Sequence, residues 1–310
     1  MVITIPNNNI IVTEDGKRYK KADVGKELAG YILGSAVSTT VTNSVGKVFS
    51  KPINNVLNGK SKAPLNDEFV NVIDTVLQST GLDKKGIIVS NISNKKESIF
   101  QAGLEIIRAL PKSINKACDN IPLLKTKIYN SILGTVFSIS EGHNAMFSNR
   151  TNKIYVNKDK MSYAVFHEMG HAIIDSNKAS KALSKLSRYS KLISALAVAS
   201  VFFTRKKVNG ERPKNKIDKT VTFIRDNAGK IALMAFIPEL LNEGSASLLA
   251  SKITKPFLSK ANHTAMNKFN SKAFLTYIGT AIGTSAGIYL AKRVVDAISA
   301  PKEIKNKPVK

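Results

Sequence analysis

Cysteine, tryptophan and histidine are all scarce in this 310-residue chain, and each shortage removes an explanation. A single cysteine, Cys118, excludes an internal disulfide framework and a cysteine-rich zinc module. Any metal site must therefore use His, Asp and Glu, the ligand set of catalytic rather than structural centres. There is no tryptophan, no recognisable nucleic-acid motif and little interleaving of basic with aromatic residues. No specific nucleic-acid partner is expected on that ground. The N-terminus lacks the basic start, apolar core and small-residue cleavage site of a signal peptide. It reads instead as two short extended pieces around an Asp15-Gly16 turn.

Acidic residues are also few: 22 Asp and Glu face 47 Lys and Arg, a net charge of +25. Phosphate neutralisation in nucleic acid would use such a charge, and so would an anionic membrane surface. A coding bias toward Lys and Asn would need no function at all. The membrane surface is the partner this reading adopts.

What the chain does contain is AVFHEMGHAIID, Ala164 to Asp175. In a helix, residues i and i+4 share a face, so His167 and His171 can turn both rings to one ion. Glu168 is offset from that line and reaches a water beside the ion rather than the ion itself. This is the HExxH arrangement of Zn²⁺ hydrolases, with the glutamate as general base. Gly170 costs the helix roughly 1 kcal/mol relative to alanine, which points to a close approach by another element.

A third protein ligand is required. No histidine follows at the HExxHxxGxxH spacing. Two carboxylates, Glu239 and Glu243, lie one turn apart in the apolar stretch IALMAFIPELLNEGSASLLASKI, read as a helix beginning near Pro238. The small residues Gly244 to Ser247 would let that helix press against the HExxH helix, which favours Glu243. Glu239 would sit in its first turn, where negative charge is favourable anyway. Asp175 reads either as an orienting partner of an imidazole or as the end of the helix. The oxyanion helper is not identified; His263 and several tyrosines are open.

Directly upstream, Asn144–Phe147 and Lys153–Asn157 are two β-type runs joined by SNRTN. An edge strand beside a metal can take an extended peptide by strand addition, so Asn144, Ala145, Met146 and Phe147 are the candidate substrate-binding residues. The substrate is then a polypeptide.

With these residues in place, HNAMFSNRTNKIYVNKDKMSYAVFHEMGHAI resembles the HtpX/CAAX-prenyl-protease group of membrane metallopeptidases, in the gluzincin clan. The likeness covers roughly residues 140–250 and is most specific over 144–171. That group carries an E-x-x-A-D element whose Glu is the third zinc ligand. Here the element is Glu243-Gly244-Ser245-Ala246-Ser247, with Ser247 where the group has Asp. The vacated orienting role would pass to Asp175. The resemblance implies a zinc metalloendopeptidase, membrane-associated, with hydrophobic helices before the core and between the two motifs.

Three uncharged stretches bear on that placement. Leu28–Gly46 and Ala273–Ala291 each have nineteen residues, marginal for a span, and Leu28–Gly46 has six Ser or Thr. Gly30 and Gly34, and Gly279, Gly283 and Gly287, recur every four positions, a spacing that permits close helix packing. Leu192–Thr204 is too short to span alone and follows a basic amphipathic run with Lys178, Lys181, Lys185 and Arg188. Lysines on both flanks of the longer stretches favour interfacial hairpins, with the active site facing the cytoplasm.

The expected fold is α+β and mostly helical. A zincin-like core carries a small β-hairpin before the HExxH helix, residues 66–135 are helical, and glycine-rich apolar helices flank it. The expected organisation is an N-terminal appendage over 1–65, a metallopeptidase domain over 66–255, and a C-terminal apolar helix with a basic tail over 256–310. The rival reading is a catalytically inactive zincin-fold scaffold that binds anionic membrane or nucleic acid.

Overall fold

The computed structural model describes residues 10–57 and 66–304. The extended piece before Ile10, the boundary placed at residue 65 and the basic tail after Ile304 lie outside them. Helices dominate and the sheets are small. The chain forms two compact units interleaved in sequence. One comprises Met1–Phe49, Leu186–Glu239 and Tyr277–Lys310; the other comprises Ser50–Lys185 and Leu240–Thr276. Single long helices contribute residues to both units.

The second unit holds the HExxH segment. Its sheet has the order β3-β5-β4, with β3 Ile88–Asn91, β4 Met146–Ser148 and β5 Lys153–Val156. The expected hairpin is β4–β5, antiparallel, with Phe147 opposite Ile154. Its turn closes through Asn152 at φ 54°, a left-handed conformation that asparagine tolerates better than most residues. Strand β3 pairs with β5 in parallel and was not expected; the rest of 66–135 is helical, without a large sheet.

Strand β5 is buried on both faces, and its alternation separates two cores. Ile154 and Val156 join α2 (Asn66–Ser79) and α7 (Ala164–Ser176) through Phe69, Ile73, Phe166 and Met169. Tyr155 points the other way, to Ala102 of α3 (Lys96–Arg108) and to Val136 and Ile139 of α5 (Pro122–Ser140). Between α3 and α5 lies α4 (Lys112–Asn120). Proline opens α5, where a missing N–H costs nothing. After β5, Asn157 caps the short α6 (Lys158–Met161) by accepting the N–H groups of Asp159 and Lys160.

The first unit is a helical bundle with a small sheet at one end. Strands β1 (Ile10–Val12), β2 (Arg18–Lys20) and β6 (Lys302–Glu303) pair antiparallel in the order β1-β2-β6, around the expected Asp15-Gly16 turn. The helices are α1 (Val24–Leu57), α8 (Lys178–Phe203), α9 (Lys216–Asp226), α10 (Ala228–Thr254) and α11 (Lys260–Ile298). Four of them, α1, α8, α10 and α11, extend beyond this unit in sequence.

Among the described residues two helices are long and apolar enough to cross a membrane: Ser180–Phe203 and Lys260–Ile298. The second contains the expected Ala273–Ala291. The first takes in Leu192–Thr204 up to Phe203, a stretch the sequence made too short because its apolar run continues a basic helix. Helix α1, which contains Leu28–Gly46, does not qualify; its serines and threonines lower its hydropathy.

Candidate metal centre

Helix α7 forms because an apolar body runs through it: Val165, Phe166, Met169, Ala172 and Ile174 are buried. The partly exposed remainder of its inner face carries His167, Glu168 and His171. Helix α10 lies against that face. It begins at Ala228, ten residues before Pro238, so Glu239 is in mid-helix and the first-turn argument for its charge fails.

The contact between α7 and α10 is backbone on backbone. A Cβ placed on Gly170 would lie 2.4 Å from the Ala246 carbonyl oxygen. The glycine that weakens the helix therefore lets the second helix in, as its cost implied. Ala246 is three residues past Glu243, and this approach brings Glu243 between the two histidines.

Among the described residues His167, His171 and Glu243 form a cluster able to hold a metal ion. The His167 and His171 Nε2 atoms are 3.1 Å apart. Glu243 Oε2 is 3.2 Å from the first and 3.4 Å from the second. Tetrahedral zinc with bonds of about 2.0–2.1 Å would separate its ligand atoms by roughly 3.3–3.4 Å. The three donors thus fit a tetrahedral ion, with one position left over. Burial opposes ionisation of Glu243, but the two imidazoles outweigh it and hold the carboxyl at about 2. Burial lowers His171 less than Glu243 and Glu168 raise it, so its net shift is upward. The cluster is an acceptor for positive charge, whether proton or metal.

The far sides of the rings show how they are held. Ser247 Oγ lies 3.2 Å from His167 Nδ1, so the serine stands in the orienting position that was expected to fall to Asp175. Asp175 instead accepts a hydrogen bond from Asn149 at 3.1 Å. Asn242 Nδ2 is 3.4 Å from His171 Nδ1, while its own Oδ1 is buried without a partner among the described residues. Amide oxygen and nitrogen are assigned from the network rather than seen. With the amide oxygen turned to the ring, it would accept from the His171 Nδ1–H and leave Nε2 with a free lone pair for a metal, while the amide nitrogen took the partnerless position. We expect Asn242→Leu to weaken zinc binding about 10–100-fold and Asn242→Asp to restore it, in titrations against a competing chelator.

Glu168 Oε2 accepts the backbone N–H of Phe147 at 2.7 Å. That N–H therefore points away from β5, along the open edge of β4. Of the four candidate substrate-binding residues, Met146 and Phe147 lie in β4, whereas Asn144 and Ala145 precede it. Asn144 folds back to accept its neighbour's N–H at 3.0 Å. His263 lies against Ser251, 2.9 Å from its carbonyl oxygen. Asn242 and Ser247 were not recognised as orienting groups. Their places next to and one turn beyond Glu243 were the available signal.

No protein-family model, no curated protein and no solved structure matches this chain. The fold and the site define a mostly helical α+β chain with a partly buried His–His–Glu cluster able to hold a metal ion.

Proposed function

We propose that this chain is a zinc-dependent metalloendopeptidase of gluzincin type, with a zincin-like core and kinship to the HtpX/CAAX-prenyl-protease group. The observation that carries the reading is the near-tetrahedral spacing of His167, His171 and Glu243, with Glu168 held beside them. When bound, zinc supplies Lewis acidity toward a peptide carbonyl and acidifies water. Phe147 N–H fixes one carboxylate oxygen of Glu168 and leaves Oε1 to take the proton of the attacking water. The same oxygen then returns it to the departing amine. An extended peptide lies along the β4 edge, over Asn144–Phe147. Because Glu168 holds the Phe147 N–H, the main pairing group this edge offers is the Phe147 carbonyl.

Membrane association completes the proposal, with the site facing the cytoplasm and membrane-proximal segments as substrates. It draws on the two long apolar helices and the charge of +25. Purified protein is expected to carry one zinc per chain and to hydrolyse an unfolded polypeptide, and chelation is expected to abolish hydrolysis. Metal-free protein from zinc-replete growth would end the proposal.

One observation favours the rival, an inactive scaffold of the same fold. Ser247 is a neutral partner for His167 where a carboxylate would make the imidazole a stronger ligand. A scaffold would bind anionic vesicles or DNA in a salt-dependent way and cleave nothing.

A further inference from the structure

The helical unit exposes more large apolar surface than a bundle in water would. Many of its buried positions are small or polar, Ala197, Ala228, Ala232, Ser190, Ser194 and Ser285 among them, beside the larger Val201, Phe236, Ile288 and Val295. Helices α1 and α11 touch backbone to backbone, since a Cβ at Gly287 would lie 2.8 Å from the Ser38 carbonyl oxygen. Thr42 Oγ1 donates across the same seam to the Gly283 carbonyl at 3.2 Å. Large apolar side chains face outward instead. Leu28, Ile32, Leu192, Leu196, Met234 and Tyr289 are each more than half exposed. Small residues and interhelical hydrogen bonds inside, with Leu and Ile outside, is the packing that lipid selects.

The uncharged parts of these helices stop at a common end. Phe202 of α8 meets Tyr31 of α1 edge-on, ring centroids 6.3 Å apart. Buried Arg225 donates to the Thr204 carbonyl at 2.9 Å and to Asp296 of α11. Beyond this level lies a basic cap, in which residues 204–227 hold eight Lys or Arg against three Asp or Glu. The sheet is attached to the same cap, because Glu14 N–H donates to the Gly210 carbonyl at 3.2 Å.

Helix α9 is the helix of that cap. Lys216, Lys219 and Phe223 fall at i, i+3 and i+7, on one exposed face, and Phe223 is 63% exposed. One exposed phenylalanine is ordinary on a solvated helix; here Ile217 is exposed too, at 74%, and both sit among lysines at the end of a bundle whose large apolar side chains face outward. An interfacial helix uses both, the ring at the acyl boundary and the ammonium groups on phosphates. We propose that α9 lies on an anionic lipid leaflet, at the end of a lipid-embedded bundle made of the parts of α1, α8, α10 and α11 that belong to this unit. Embedding assigns α1 a place in lipid that its composition alone does not. A protein or nucleic-acid partner on the cap would leave the outward Leu and Ile of four helices in water. The inference rests on the membrane placement proposed above and is independent of the zinc chemistry.

The absence of tryptophan supplies the test. Full-length Phe223→Trp carries the only indole in the chain, and Leu196→Trp reports separately on the bundle. With mixed phosphatidylcholine–phosphatidylglycerol vesicles, both emissions are expected to shift to the blue and to be quenched by brominated acyl chains. The protein is also expected to float with the vesicles after alkaline carbonate. Adding Lys216→Glu and Lys219→Glu to Phe223→Trp is expected to abolish its preference for phosphatidylglycerol. Flotation with an unshifted Phe223→Trp spectrum overturns the placement of α9. An equal shift on phosphatidylcholine alone overturns the role of the lysines. Failure to float removes the membrane placement itself and leaves zinc content and hydrolysis as separate readouts.

Discussion

Glu168→Gln is expected to bind zinc as the wild type does and to lose peptide hydrolysis by about 10²–10⁴-fold. Glutamine matches glutamate in shape and keeps an oxygen to accept the Phe147 N–H, which Glu168 now takes at 2.7 Å. The loop and edge strand are therefore held as before. The three metal donors are His167, His171 and Glu243, so the substitution removes none of them. Only basicity is lost. A loss of that size corresponds to about 3–5.5 kcal/mol of transition-state stabilisation. Zinc content and cleavage of an unfolded polypeptide, measured on one preparation, decide the matter. Undiminished cleavage with zinc retained would remove Glu168 from the chemistry. Loss of zinc together with cleavage would mean that the carboxylate is structural.

The parts of this site that were legible in the sequence are those set by short-range periodicity. The i, i+4 histidines, the β4–β5 hairpin before them and the apolar body of α7 each lie within one continuous run. Glu243 lies 72 residues after His171. It was legible for another reason: a carboxylate in an apolar helix, followed by small residues, requires both a partner and a close neighbour. Gly170 and Ala246 satisfy the second requirement. Strand β3 was not legible, because a parallel pairing with β5 leaves no local turn signal, and IIVS in isolation fits a helix as well. The start of α10 was misplaced because Pro238 looks like a beginning, whereas a packed helix can run through a proline. The orienting groups were missed for a geometric reason. Whether Asn242 or Asp175 faces a ring depends on how α10 crosses α7, and neither helix encodes that alone.

Gly170→Ala is expected to destabilise the fold and to impair the metal site together, although alanine is the better helix former. Propensity favours the substitution by about 1 kcal/mol. Against it, the new methyl would lie 2.4 Å from the Ala246 carbonyl oxygen and 2.9 Å from its Cα, and backbone atoms cannot rotate aside. Overpacking of a tight contact typically costs about 1–3 kcal/mol, so the steric effect wins. The relief available is a shift of α10 away from α7. That shift carries Glu243 and Ser247, three residues before and one after Ala246, away from His167 and His171. Ligand distances in metal sites hold to about 0.2 Å, so even a small shift separates a carboxylate from the two imidazoles. Gly134→Ala is the matched control. Gly134 also lies inside a helix, α5, but a Cβ there meets nothing within 4 Å, so propensity acts alone and the variant should be more stable. Denaturant titrations and zinc affinities of the two variants should move in opposite directions for stability, with zinc binding weakened only by Gly170→Ala. Equal stabilisation of both variants, with zinc affinity unchanged, would show that α10 does not meet α7 at Gly170. The placement of Glu243 as the third ligand would then lose its support.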